Sequence, residues 1–315
     1  MPLTQHQLKQ RLTGLGGSDI GSVLGLNSYR GAHDVWAEKR GLIAPADLSD
    51  NPFIQFGNVM EPVLLEHYKE ATGASVMAGE GTISHPERPW HLASVDGLVG
   101  PTGRPDGVLE AKTASWRMKD QWGEAGTDQV PESYLVQCAW YMAALDLPWC
   151  DLVALVDRSF SIYHIERNPE LEAAIVEAGE RFWIDHVEAG VPPETDGSDG
   201  CREVLSALHP ATTDKVLVAT PEVEALCVRL RDIKLTQKEQ KAEEAAIKNA
   251  LAEFVGSNKG IEASCGKVTW TKASQRQTVQ WKALAESLNI PAEDIERFTK
   301  TSQIARSIRP YFKKE

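Results

Sequence analysis

Residues 91–115 read HLASVDGLVGPTGRPDGVLEAKTAS. An acid, Asp96, closes one apolar segment, and a turn rich in Gly and Pro follows. A second short apolar run, Gly107-Val108-Leu109, then delivers Glu110-Ala111-Lys112. In a strand, residues two apart point to the same face. The pattern therefore predicts that Glu110 and Lys112 project together and that a hairpin lays Asp96 beside them. Two carboxylates with one ammonium make a site for a hard cation with a positive group at its edge. That is the equipment of metal-assisted phosphodiester hydrolysis. The same residues also fit an exposed hairpin carrying a surface ion pair, worth ~0–1 kcal/mol.

The flanks of this stretch set the fold class. From about residue 74 to 112, short apolar runs alternate with Gly, Pro and Asp turns, which predicts a small antiparallel sheet. Upstream, Gly16-Gly17-Ser18-Asp19 precedes Ile20, Val23 and Leu24, and Ser18 reads as the N-cap of a short helix. A second helix is expected over 32–40, closed by Gly41. A third is expected over 53–72, with Phe56, Met60, Leu64, Leu65 and Tyr68 on one stripe. Pro62 inside it predicts a kink or a later start. Downstream, residues 132–146 and 171–187 read as helices, and 152–156 and 161–165 as strands. Helices around a central sheet make a mixed α/β core.

Residues 190–200, GVPPETDGSDG, are linker-like in composition. The reading divides the chain into a core, 1–200, and a C-terminal extension, 201–315. In the extension a charged helix over 221–254 would reach roughly 50 Å at about 1.5 Å per residue. Strands are expected over 266–272 and 303–309, around a helix at 279–288.

Composition narrows the classes. No apolar run is long enough to span a membrane, and the start, MPLTQHQLKQRL, lacks a signal-peptide core. Five cysteines without CxxC spacing point to reduced thiols in a cytoplasmic setting, and against a zinc knuckle or an iron–sulfur cluster. The net charge is −12, yet the segment 266–315 carries +5, which leaves −17 on everything before it. Such a total is compatible with a DNA enzyme whose basic groups line one channel, and bound metal would offset part of it. No P-loop, HExxH or GxSxG motif is present, so ATP-binding, zincin and serine-hydrolase chemistry are disfavoured.

Further residues are candidates, each with a plainer reading beside it. Glu61, in FGNVMEP, could aim from its helix at the same cation or be a surface glutamate. Gln137, at the start of an apolar helix, could orient water or phosphate, or satisfy a backbone group. Gly16-Gly17-Ser18 could hold a phosphate on free amides. Arg11 could reach that same phosphate, because guanidinium pairs with phosphate bidentately. Of nine tryptophans, among them Trp90, Trp116, Trp122 and Trp140, most are expected in the core or at subunit contacts, and some could stack on unpaired bases.

Taken in order, GLGGSDIGSVLGLNSYRGAHDVWAEKRG, FGNVMEPVLLEHYKEATG, SVDGLV with GVLEAKTAS, and YLVQCAWYMAAL resemble the YqaJ-type viral recombinases. These are similar to the phage lambda exonuclease, among the PD-(D/E)xK nucleases. The resemblance covers roughly residues 10–190 and implies a restriction-endonuclease-like core. It implies Asp96, Glu110 and the Ala111 backbone carbonyl as ligands of Mg²⁺ or Mn²⁺, two ions per site, with Glu61 near the second. Lys112 would orient or deprotonate the attacking water, and Gln137 would sit near that lysine. Ser18 and Arg11 would hold the terminal 5′ phosphate. Ala139 departs from relatives that carry a second glutamine there.

The resemblance implies a DNA exonuclease of phage or prophage origin acting on duplex ends from the 5′ side, leaving 3′ overhangs for recombination. It also implies a ring-shaped trimer and a single-strand annealing protein as partner. Two other readings stay open. One is a metal-dependent endonuclease, or a relative of the CRISPR-adaptation nucleases without an iron–sulfur cluster. The other is a non-catalytic DNA-binding or assembly protein that uses the helix at 221–254.

Overall fold

The computed structural model describes residues 9–27, 29–45, 48–79, 81–271, 278–299 and Pro310. The chain forms two compact units, Met1–Ala211 and Thr212–Glu315.

The first unit is built on a five-stranded mixed sheet. Its strands are β1 (Val76–Ala78), β4 (Gly97–Val99), β5 (Gly107–Ala114), β6 (Trp149–Val156) and β7 (Ser159–Glu166), and they lie side by side in that order. A separate small pair, β2 (Ile83–Ser84) and β3 (Leu92–Ala93), precedes β4. Neighbours in the main sheet are antiparallel except β5 and β6. A parallel pair needs a crossover, and helix α4 (Glu132–Leu145) supplies it. Before the sheet come the helices α1 (Gly17–Val23), α2 (Ala32–Lys39) and α3 (Pro52–Thr72). Two follow it: α5 (Pro169–Phe182), continued by a π-helical turn over Trp183–Glu188, and α6 (Asp199–Leu208).

Both faces of the sheet are covered, so β6 is apolar and buried along nearly its whole length. On one face Val108, Cys150 and Leu152 pack with Val136, Trp140 and Ile20. On the other, Leu109 and Val153 pack with Leu64 and Tyr68 of α3. This is the expected central mixed sheet flanked by helices.

Local chemistry explains the boundaries. Helix α3 starts at Pro52 because Asn51 Oδ1 accepts from Phe53 N–H at 2.9 Å and proline suits the first turn. It stops at Gly73, whose φ of 69° is left-handed. The helix runs through Pro62 rather than beginning after it. The N-cap of α1 is Gly16, not Ser18. Glycine has no capping group, so Asp19 from inside the helix accepts from the Gly16 N–H at 2.9 Å. The linker-like stretch ends in α6, capped by Ser198 Oγ on Cys201 N–H at 3.0 Å, and Cys201 and Val204 are buried in the first unit.

The second unit holds the long helix α7 (Pro221–Val255), capped by Thr220. A hairpin of β8 (Gly260–Ala263) and β9 (Gly266–Thr269) and two short helices, α8 (Trp281–Ser287) and α9 (Ala292–Arg297), follow. The strand expected over 303–309 lies outside the described residues. All five cysteines are free. Among the described residues no helix is long and apolar enough to cross a membrane.

Candidate active site

Strand β5 carries the centre of the site. Val108 and Leu109 anchor it in the two cores and fix its alternation. Glu110 and Lys112 therefore emerge on the α4 face. The Lys112 ammonium donates to Glu110 Oε1. The turn between β4 and β5 uses Gly100 (φ 128°) and Gly103 (φ 80°). Only glycine adopts such conformations without strain. The register, Gly97 opposite Leu109, carries Asp96 to the end of β4 beside β5. There Asp96 Oδ2 accepts from the Ala111 N–H at 2.8 Å.

Helix α4 supplies the second layer. Gln137 Nε2 donates to Glu110 Oε1 at 2.7 Å and to the Tyr141 hydroxyl at 3.1 Å. These two bonds use both of its N–H groups. The Tyr134 ring lies 5.3 Å from Lys112 Nζ. Residues 134, 137 and 141 share one helical stripe. Gly17 of α1 fits against this layer, since a Cβ there would stand 2.7 Å from Gln137 Cγ.

The charges are crowded. Glu110 is 2 % exposed, and its second oxygen, Oε2, is buried without a hydrogen-bond partner. Burial, and then the Asp96 charge, push its carboxyl up to about 8. Burial also raises Asp96, against the pull of Lys112. Glu61, on α3, is raised by burial and by Asp96, so it shares the same field. Burial opposes the Lys112 ammonium, but Glu110 and Asp96 together outweigh it and hold that group charged. Three carboxylates face one ammonium here, and one buried carboxylate oxygen has no donor. That arrangement fits a divalent cation with oxygen ligands. Among the described residues no three His, Cys, Asp or Glu side chains are drawn into a closed ligand cluster.

A second locus lies at the start of α1. Arg11 Nη2 reaches Ser18 Oγ at 3.4 Å. Beneath them Asp19 is buried, accepting from Arg30 Nη1 and Lys39 Nζ, each at 2.7 Å. Gly17 joins this locus to Gln137 and hence to Glu110.

The structure thus brings Glu110, Lys112 and Gln137 into contact, bonds Asp96 to the Ala111 N–H beside them, and puts Asp96 and Glu61 within their electrostatic reach. Arg11 and Ser18 form a separate pair. Ala111 enters through its N–H. Trp90 and Trp140 are core residues, and Trp116, just after β5, is 66 % exposed. Tyr134 and Tyr141 escaped the sequence reading, although their i−3 and i+4 spacing from Gln137 marked them as neighbours. Nothing local announced the Asp19–Arg30–Lys39 network.

Residues 6–146 match the family model of the YqaJ-like viral recombinase domain. This shows the resemblance that the order of motifs implied. The uncharacterized protein YqaJ of Bacillus subtilis (strain 168) is 28% identical over 258 residues, 81% of this chain and 75% of that one. Among solved structures, an alkaline exonuclease from Laribacter hongkongensis is similar at 24% identity and a TM-score of 0.48, over 60% of this chain and 94% of that one. A phage related exonuclease from Haemophilus somnus 129PT is similar at 14% identity and a TM-score of 0.40, over 56% of this chain and 96% of that one.

Proposed function

We propose that this protein is a divalent-metal-dependent deoxyribonuclease that digests linear duplex DNA from the 5′ end and leaves 3′ single strands for recombination. One observation carries the reading: Asp96, Glu110 and Lys112 converge on the β4–β5 hairpin with Glu110 Oε2 buried and bare. The YqaJ-like domain supports it.

Asp96, Glu110 and the Ala111 carbonyl would hold Mg²⁺ or Mn²⁺, and Glu61 a second ion. When bound, such ions neutralise charge on the scissile phosphate and make water a stronger nucleophile. The chain's own residues do the rest. Gln137 fixes the Glu110 carboxylate through Oε1, leaving Oε2 to face the ligand. Lys112 is held charged and is therefore a poor proton acceptor. Its contribution is fixed positive charge where negative charge accumulates on the phosphate, and orientation of the attacking water. Arg11 and Ser18 would receive a terminal 5′ phosphate, with bidentate donation from the guanidinium. A trimer around DNA, a single-strand annealing partner, and a phage or prophage protein at work in the host cytoplasm belong to the same proposal.

The test is digestion of 5′- and 3′-labelled linear duplex and of covalently closed circular DNA, with Mg²⁺ or Mn²⁺. Linear DNA should be consumed from its 5′ end while circles persist. Lys112→Met should fold, bind DNA and fail to cut. Asp96→Ala should also lose the thermal stabilisation that Mn²⁺ gives the wild type. Cutting of circles at the linear rate would make the protein an endonuclease. Full turnover by Lys112→Met, or activity in chelator, would move the chemistry elsewhere.

A further inference from the structure

The buried Asp19–Lys39 pair ties three separate stretches of chain together under Arg11. Lys39, on α2, donates from Nζ to Asp19 Oδ2 at 2.7 Å and to the Arg11 backbone carbonyl at 2.6 Å. Its side chain is 3 % exposed. Asp19, on α1, also accepts from the Gly16 N–H at 2.9 Å and from Arg30 Nη1 at 2.7 Å. Arg30 in turn reaches Glu38 at 2.5 Å. Asp19 and Glu38 thus answer Lys39 and Arg30. Among the described residues no carboxylate pairs with Arg11, whose guanidinium has only the neutral Ser18 hydroxyl at 3.4 Å. A bond that long, to a neutral acceptor, is readily exchanged for one to an anion.

The charge balance has a direction. Burial opposes the Asp19 charge, but Lys39 and Arg30 outweigh it and hold the carboxyl well below the ordinary range. Burial lowers the Lys39 pKa even against the pull of Asp19. What ties the groups together is the geometry: Lys39 Nζ is bonded to Asp19 Oδ2 and to the Arg11 carbonyl, and the latter bond fixes the backbone from which the guanidinium extends. A buried charged pair is costly to keep and offers little net stability over apolar packing. What this one gives is a fixed place for a cation that no acid in the described structure uses.

We infer that Lys39, held by Asp19, is a positioning residue for recognition of the terminal 5′ phosphate: it sets Arg11 without touching substrate. This rests on the reading of Arg11 and Ser18 as the end-phosphate pair. The ligand class is a phosphomonoester at a DNA end.

The experiment measures kcat/KM on one duplex with 5′-phosphate or 5′-hydroxyl ends, for wild type, Arg11→Ala and Lys39→Met. A merely structural loss would lower both rates together. A positioning role lowers the phosphate-end rate alone. Arg11→Ala should erase the phosphate preference. Lys39→Met should cut it on the order of tenfold, as a displaced binding group does, with the hydroxyl-end rate nearly unchanged. An unchanged preference in Arg11→Ala overturns the end-phosphate reading and this inference with it. Loss in Arg11→Ala with full preference in Lys39→Met overturns the inference alone. Should Lys39→Met not fold, Lys39→Arg replaces it. Its broader head cannot make both bonds from the same place, so a lowered preference supports the role and an unchanged one refutes it.

Discussion

Gly17 and Gly21 lie one turn apart in α1, and both are buried. The same substitution at these two positions should give opposite results. A methyl added at Gly17 would stand 2.7 Å from Gln137 Cγ and from Tyr141 Cε1, while one at Gly21 meets nothing within 4 Å. Carbon atoms rest at about 3.5–4 Å, so Gly17→Ala must drive Gln137 or Tyr141 back by roughly 1 Å. Neither can yield freely, because Gln137 is bonded at once to Glu110 and to Tyr141. Overpacking of this kind costs about 1–3 kcal/mol. Gly21→Ala escapes the clash and keeps the gain of ~0.4–1 kcal/mol from a stiffer unfolded chain. A shift of ~1 Å in a group that orients a reacting centre costs up to about 10²-fold in rate. Gly17→Ala should therefore lose about 1–3 kcal/mol in urea unfolding and digest linear duplex about ten- to a hundredfold more slowly. Gly21→Ala should match or exceed the wild type in stability and match it in rate. If the two variants are indistinguishable in both assays, the packing of Gly17 on Gln137 is not what holds Glu110.

Two further predictions concern stability. His91 is buried, with Nε2 on the Trp140 carbonyl at 3.0 Å and Nδ1 without a partner. A second proton would sit on Nδ1 with nothing to accept it, and burial accordingly depresses its pKa to about 4. Between the unfolded value near 6.5 and this one, the unfolded chain binds the extra proton, so stability falls as pH falls through that window, by roughly 3 kcal/mol. His91→Gln keeps an N–H for Trp140, and its unfolding free energy should lose that much less between pH 6.5 and 4; parallel curves would refute the account. The Tyr68 hydroxyl donates to Asp151 Oδ2 at 2.6 Å on the α3 face of the sheet, opposite Glu110. Tyr68→Phe should cost about 1.5–3 kcal/mol in urea unfolding and leave DNA digestion unchanged.

The parts that could be read from the sequence are those held by short-range rules. Strand alternation alone places Glu110 and Lys112 together, and the Gly-Pro turn returns Asp96 to their side. The spacing of 134, 137 and 141 puts three polar side chains on one stripe of α4, of which the reading took only Gln137. The α1 cap misled for an equally local reason. Serine is a common N-cap, but here the side-chain acceptor is Asp19, inside the helix, leaving Ser18 free to face Arg11. Pro, Gly and Asp dominate 190–200, and the helix they lead into is recognised only from the Ser198 cap and the burial of Cys201 and Val204.

The Asp19–Lys39–Arg11 connection is of another kind. Lys39 and Arg11 stand far apart in the chain, and the bond that joins them ends on a backbone carbonyl, which every residue has. No residue type records it. The acidic balance of the chain shows the same division. Composition reveals an excess of carboxylates but not where they meet. Asp96, Glu110 and Glu61 raise one another's cost of ionisation only because a hairpin and a helix converge on them. Burying negative charge against itself destabilises a fold, and Lys112 offsets only part of it. That uncompensated negative charge is what motivates the proposed divalent cation, which would supply the remaining positive charge.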